Sequence, residues 1–267
     1  MQGDDHTKPE PIPFGVRLQM LLPGGRFKVL QRHVGGMLEW RTYRRIYEAI
    51  SAQPDYDAVE IRAARGSGSI AAAWAFADLG RKGRLIVVEK FEGGSRASDG
   101  TSEENLARAQ RLFRQFGVAD HIRLFPHFLS LKNGAEVQAL ISTDKICAFI
   151  HDADGRLDRD FFLFWPRLID GGFIMADDYE DIIETKTKPD GTLAVFGKKL
   201  LTYRLLNLMR DWGLIEIDEI RRGTVFGHKP PGADFSKFDL AACEQVIADV
   251  KALCAEKQQA AQKVSAA

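Results

Sequence analysis

Two apolar segments of this 267-residue chain run straight into carboxylates: Phe149-Ile150-His151-Asp152-Ala153-Asp154 and Phe173-Ile174-Met175-Ala176-Asp177-Asp178-Tyr179. If the segments are neighbouring parallel strands, several acidic oxygens meet at one rim. Unpaired, those charges repel and raise one another's pKa, and a hard divalent cation removes that cost. Mg²⁺ suits such a set because it takes a few carboxylates and keeps positions for water or substrate oxygens. Asp-rich strand ends also serve as plain turns and helix caps. Asp177-Asp178 alone fits either use, and Asp152 on the other strand favours the cation.

A second constellation lies earlier. Val59-Glu60-Ile61-Arg62-Ala63-Ala64-Arg65-Gly66-Ser67-Gly68-Ser69 leads from an apolar run through a small, Gly-containing turn toward a helical pattern. Such a turn lets a ligand approach the backbone and meet helix N–H groups; an ordinary tight turn reads the same way. Glu89 closes the next apolar run, where a carboxylate can accept both hydroxyls of a ribose, as it does in nucleotide-binding α/β folds. A surface glutamate is the alternative. His151 beside Asp152, and His127 in Pro126-His127-Phe128, stand at the same kind of position and titrate in the range useful to a general base. Either also fits a structural histidine. Phe91 and Phe128 could wall an adenine or a substrate, or simply pack in the core.

Apolar runs at 58–61, 85–88, 122–125, 146–150 and 173–176 alternate with helical patterns at 70–79, 103–116, 135–141 and 158–169. Alternation on this spacing implies βαβ units and a doubly wound, mostly parallel sheet, in which ligands bind at the carboxyl ends of the strands. Thr101 and Glu104 have capping-box spacing, and Gly117 makes a natural stop to that helix. Asp170-Gly171-Gly172 is expected to turn a helix ending near Ile169 into the fifth strand. Residues 1–30, rich in Pro and Gly, read as an extended arm, and an amphipathic helix follows at 39–51. After Tyr179, residues 180–197 form a polar excursion over the sheet edge, then a helix at 198–212. Residues 214–220 and 224–228 make a terminal antiparallel hairpin, and 239–262 a last helix with a frayed tail. The expected division is an arm at 1–35, a main domain at 36–230 and a C-terminal helix and tail at 231–267.

Formal charge is zero, with 37 basic and 37 acidic residues, so no overall basic field argues for nucleic acid; the balance leans weakly toward self-association as a homo-oligomer. No apolar run approaches the roughly 18–20 residues of a membrane-spanning helix. The polar opening Met1-Gln2-Gly3-Asp4-Asp5-His6 is unlike a secretory signal, and Cys147, Cys243 and Cys254 show no paired spacing, which together read as a cytoplasmic protein.

Glu60, Gly66 and Glu89, in a Glu-x-Gly-x-x-x-Gly-like turn plus a second-strand acid, resemble the cofactor signature of class I S-adenosylmethionine-dependent methyltransferases. Asp152-Ala153-Asp154, the following Gly-Gly, and Asp177-Asp178 resemble the metal-dependent O-methyltransferases, of the catechol and caffeoyl-CoA kind. The Asp-Asp-Tyr ending and Phe91-Glu92-Gly93 look closer still to the macrocin-type sugar O-methyltransferases. The resemblance runs from about Gly36 to Tyr179. It implies a Rossmann-like methyltransferase fold and S-adenosylmethionine held around Glu60, Arg62, Gly66, Ser67, Gly68, Glu89, Phe91 and Phe128. It also implies Mg²⁺ or another divalent cation on Asp152, Asp177 and Asp178, with Asp154 as a neighbour. The acceptor would be a hydroxyl of a small molecule or sugar, a vicinal diol being the natural chelating partner.

One position departs from that pattern: Arg62 stands where the family has its first glycine. Either the side chain turns aside and leaves the cofactor pocket open, or the pocket is blocked and the chain is a non-catalytic, methyltransferase-like binding protein. A nicotinamide-dependent oxidoreductase is disfavoured because the first turn lacks G-x-G-x-x-G and the fourth and fifth runs end in carboxylates. A nucleic-acid methyltransferase is disfavoured by the scattered basic residues.

Overall fold

A computed structural model describes residues 11–92, 100–188 and 191–265. The opening Met1–His6 motif and Gly93 of the Phe-Glu-Gly segment lie outside the described residues. The larger sheet runs in the order β3 (Ile122–Phe125), β2 (Leu85–Val88), β1 (Asp57–Ile61), β4 (Ile146–His151), β5 (Leu168–Ala176), β9 (Thr224–His228), β8 (Glu216–Arg221), and β6 (Glu184–Thr187) and β7 (Leu193–Phe196) form a separate two-stranded sheet. The chain divides into two compact units, residues 1–129 with 135–147 and residues 130–134 with 148–267.

The first unit begins with α1 (Phe14–Leu21) and α2 (Gly25–Val29), then a turn of π-helix at Leu30–Val34. Over residues 14–30 these replace the extended arm expected there; residues 1–10 of that arm lie outside the described residues. The pieces are too short to print a helical period, yet Phe27, Val29, Leu30 and Val34 are buried. Arg26 anchors the segment, its guanidinium 4.1 Å from the Trp74 ring centroid and 2.6 Å from Asp78. The unit continues with α3 (Trp40–Ser51), β1 (Asp57–Ile61), α4 (Ser67–Asp78), β2 (Leu85–Val88), α5 (Ser102–Gln115), β3 (Ile122–Phe125) and all but the first residue of α6 (Gly134–Ala139).

β1 pairs with β2 and β2 with β3, both parallel. Every residue of β1 and β2 is buried, the pattern of parallel strands covered on both faces. Asp57 is fully buried as well, and its charge is met from four directions. Its carboxylate accepts the N–H groups of Arg84 (2.7 Å), Ser142 (2.5 Å) and Thr143 (3.2 Å) and the Ser142 hydroxyl (2.8 Å). α5 opens with the expected capping box: Thr101 Oγ1 accepts the Glu104 N–H (3.2 Å), and Glu104 accepts the Thr101 N–H (2.8 Å). A cap of this kind stabilises a helix by about 1 kcal/mol.

The second unit holds most of β4 (Ile146–His151), α7 (Leu157–Phe164), β5 (Leu168–Ala176), the hairpin β6 (Glu184–Thr187) and β7 (Leu193–Phe196), α8 (Lys198–Asp211), β8 (Glu216–Arg221), β9 (Thr224–His228) and α9 (Leu240–Ser265). β9 lies antiparallel to both β5 and β8, as the terminal hairpin predicts. α7 stops at Phe164, five residues before the expected end near Ile169, because Pro166 cannot continue it. Asp170-Gly171-Gly172 therefore lies inside β5, not ahead of it. There the Gly171 N–H donates to the Lys229 carbonyl (2.8 Å), extending the pairing with β9. Residues 180–197 are not a plain excursion, since they carry the β6–β7 hairpin.

Candidate functional site

Among the described residues, five that are not glycine have positive φ: Arg62 (72°), Ala64 (48°), Phe91 (54°), Asp178 (64°) and Arg222 (49°). Such a conformation costs an L-residue roughly 1–3 kcal/mol, and that cost tends to be concentrated at functional sites. Four of the five stand just after β1, β2 or β5, among the residues that the sequence singles out; Arg222 sits in the β8–β9 turn.

In the first unit the turn after β1 is closed by its own carboxylates. Glu89 is buried; its Oε2 accepts the Ala64 N–H (3.0 Å) and its Oε1 the Phe91 N–H (3.1 Å). One carboxylate thus ties the ends of β1 and β2 together and keeps further lone pairs for a ligand. Glu60 is buried under α4, where it accepts the Ser69 hydroxyl at 2.5 Å. A Cβ at Gly68 would lie 2.5 Å from Glu60 Oε1, so the glycine is what lets the acid sit beneath the helix. Gly66, at φ 83°, turns the chain into α4, and a Cβ there would meet the Phe113 ring at 2.8 Å.

Ser67 is buried and its hydroxyl donates to the Leu30 carbonyl (3.2 Å), a packing duty. Arg62 keeps the backbone of a glycine at φ 72° and its N–H donates to the Val88 carbonyl (2.8 Å). The residue is half-buried and its guanidinium makes no ion pair among the described residues. Phe91 is buried, with Asn105 Nδ2 donating to its carbonyl (3.2 Å). His127 and Phe128 are exposed, the His127 ring lying edge-on to Phe125.

In the second unit Asp152, Asp177 and Asp178 are brought together, one carboxylate oxygen of each lying within 4.8 Å of the others. Asp177 is positioned by its backbone N–H donating to the His151 carbonyl (3.0 Å) and by the Thr224 hydroxyl donating to its Oδ1 (2.6 Å). Burial, then the Asp152 charge, pushes the Asp177 carboxyl up to about 6. Burial also raises Asp152, with Asp178 adding to it and Lys198 opposing it. At an effective dielectric near 20, each like-charge pair at about 4 Å costs roughly 4 kcal/mol, so three carboxylates here call for positive charge.

Lys198 supplies one unit. Its Nζ lies 3.0 Å from Asp152 Oδ1 and 2.5 Å from Asp178 Oδ2. Burial alone would lower the Lys198 ammonium's pKa, and the two aspartates outweigh it, holding it above its ordinary value. Three hard oxygens with one ammonium still leave a net negative cluster, and this donor set fits a divalent cation.

The remaining predicted residues fall elsewhere. His151 is 1% exposed, its Nε2 is 3.1 Å from Asp160 Oδ2, and its Nδ1 is buried with no hydrogen-bond partner among the described residues. Asp160 is fully buried and takes the Arg159 guanidinium at 2.5 and 3.0 Å. The structure thus places His151 in an internal ionic network, away from the open position expected of a base. Asp154 belongs to the same network: Arg159 lies 3.4 Å away and the Arg156 N–H donates at 3.2 Å. Burial would raise its carboxyl, but Arg159 outweighs that and lowers it. Asp154 therefore already has its counter-charge.

Thr224 and Lys198 join the cluster without belonging to any of the motifs above. A signal for Lys198 exists: Lys198-Lys199 open a helix whose first turn holds no acid, against the helix dipole. Each is held there by carboxylates, Lys199 by Glu180 at 2.9 Å.

No protein-family model and no curated protein matches the chain. Solved structures do. The O-methyltransferase NovP aligns with a TM-score of 0.53 at 16% identity, over 73% of this chain and 82% of NovP. The O-methyltransferase from Bacillus cereus, in complex with SAH, aligns with a TM-score of 0.54 at 12% identity, over 80% of this chain and 95% of that one. The O-methyltransferase TomG from Streptomyces achromogenes, in complex with SAM, aligns with a TM-score of 0.55 at 12% identity, over 80% and 95%. With its strand order and its antiparallel β8–β9 hairpin, the chain has the Rossmann-like α/β fold seen in these O-methyltransferase structures.

Proposed function

We propose that the chain is an S-adenosylmethionine-dependent O-methyltransferase, assisted by a divalent cation and acting on a hydroxyl of a small molecule or sugar. The observation that carries this reading is the cluster Asp152, Asp177 and Asp178 at the ends of β4 and β5, on a fold shared with O-methyltransferases. Residues 36–230 are the proposed methyltransferase domain.

Glu89 is proposed to accept the ribose hydroxyls of the cofactor, with Phe91 and Phe128 beside the adenine and the Gly66–Gly68 turn against its polar end. Arg62, uncommitted among the described residues, offers its guanidinium to the carboxylate of the methionine moiety. The cofactor's sulfonium supplies an electrophilic methyl group. A divalent cation on the three aspartates supplies acidification and orientation of an acceptor hydroxyl. Thr224 orients Asp177 for that task through its hydrogen bond. Of the two histidines, exposed His127 is the proposed proton acceptor, and buried His151 instead braces β4 against α7 through Asp160. Alignment of acceptor and methyl donor contributes much of the rest of the rate.

The test is release of S-adenosylhomocysteine from a panel of catechols and diol-bearing sugars, with Mg²⁺ and then with EDTA. Turnover that needs Mg²⁺ supports the reading, and full turnover in EDTA contradicts the cation's role. Arg62 also favours a second reading, a binding protein whose cofactor pocket this side chain fills. In that case the wild-type chain fails to bind S-adenosylmethionine and Arg62→Gly gains binding.

A further inference from the structure

The backbone that carries Lys198 is confined on two sides. A Cβ on the preceding Gly197 would lie 2.7 Å from Cys254 Sγ and 2.8 Å from Val250 Cγ1, so only glycine lets α8 begin this close to α9. On the other side, a Cβ on Gly155 would lie 3.1 Å from the Lys198 carbonyl, and Gly155 itself has φ 83°. Lys198 is thus delivered to the acid cluster by fitted packing, at the end of a helix where the dipole disfavours a cation. Its ammonium contacts two of the three carboxylates, at 3.0 and 2.5 Å, and Asp177 is left to Thr224.

An ammonium at those distances and a divalent ion coordinated at about 2.0–2.6 Å by the same oxygens require the same space and the same lone pairs. We infer that Lys198 is a built-in competitor for the cation. It closes the cluster when no metal is bound, and it must swing off Asp152 and Asp178 before a divalent ion can load. This rests on the metal reading above. The device keeps the carboxylates gathered without metal and so lowers the ordering cost of loading. It also weakens metal affinity by the free energy needed to part the ammonium from two aspartates, and it rejects cations too weakly charged to displace it.

The experiment is calorimetric titration of the full chain with MgCl₂, backed by melting curves in EDTA and in Mg²⁺, for wild type, Lys198→Met, Lys198→Gln and Lys198→Arg. Removing the competing charge should tighten Mg²⁺ binding by at least about tenfold in Lys198→Met and Lys198→Gln, while Lys198→Arg stays near wild type or weaker. In EDTA the two neutral variants should melt below wild type, and Mg²⁺ should raise their melting temperature more than it raises that of wild type. Should Lys198→Met fail to fold without metal, Lys198→Gln keeps hydrogen-bond donors at the position and decides the matter. Equal or weaker Mg²⁺ binding in both neutral variants overturns the inference and leaves the metal reading standing. Absence of Mg²⁺ binding in wild type and in every variant overturns both.

Discussion

The turn after β1 and the acid cluster after β4 and β5 both gather carboxylates at strand ends, but they settle the charge in opposite ways. Around the turn, Glu89 is held by two backbone N–H groups and Glu60 by a hydroxyl, and the cost is carried by the backbone, at Arg62, Ala64 and Phe91. Around the cluster, Asp177 has one hydroxyl, Asp152 and Asp178 share one ammonium, and Asp177 is pushed up to about 6. One region is finished before any ligand arrives. The other is short of positive charge, which the proposed cation would supply.

That contrast can be broken most severely at the cluster. Asp177→Ala with Asp178→Ala should reduce methyl transfer on the order of 10³-fold or more, since a Lewis acid's charge stabilisation is worth several kcal/mol. Circular dichroism should show an intact fold. Wild-type turnover in the double variant would sink the metal role.

At the turn, Glu89→Ala should weaken S-adenosylmethionine binding by roughly 10- to 100-fold, because it strands two N–H groups and removes the ribose acceptor. It should also lower the melting temperature, whereas the aspartate pair should not.

A third difference lies in pH. The Asp177 carboxyl is raised from 3.8 to about 6 in the folded chain, so the native state binds the extra proton. In EDTA this contribution to stability is fully present below pH 3.8 and is lost as pH rises through about 6. Mg²⁺ competes with that proton, so its affinity should climb between pH 5 and 7, by up to about tenfold per unit below 6. A flat profile over that range, or an unchanged slope in Asp177→Asn, would remove Asp177 from the cation site. Binding at the finished turn should be indifferent to Asp177→Asn.

The smallest effect is Arg62→Gly, which relieves an αL arginine and should add about 1 kcal/mol of stability, seen as a melting temperature higher by roughly 2–4 °C. The same change should weaken cofactor binding if the guanidinium meets the methionine carboxylate.

Much of this was legible in the sequence wherever a local rule decided it. The alternation of buried runs and helical stripes gave the strands, and Thr101 with Glu104 gave the cap. The acids at strand ends are visible because a parallel strand places its last residue at a fixed rim. What was not legible depends on partners far along the chain. The helices of residues 14–34 are shorter than the window in which a period shows, and only the Phe27–Trp74 and Arg26–Asp78 contacts reveal them. The β6–β7 hairpin has a turn signal in Pro189-Asp190-Gly191, but β6 (Glu-Thr-Lys-Thr) is polar and each strand is only four residues long, too short to show an alternating pattern. His151 looked accessible because it adjoins Asp152, yet alternation along β4 sends its ring the other way, toward Asp160. Lys198 lies 46 residues from Asp152, and no spacing rule joins them.

The most direct test is calorimetric titration of the folded wild-type chain with S-adenosylmethionine in Mg²⁺, repeated with Arg62→Gly. Micromolar binding by wild type, weaker in the variant, is the expected result. No binding by wild type, with binding gained in Arg62→Gly, would contradict the account and leave a pocket blocked by its own arginine.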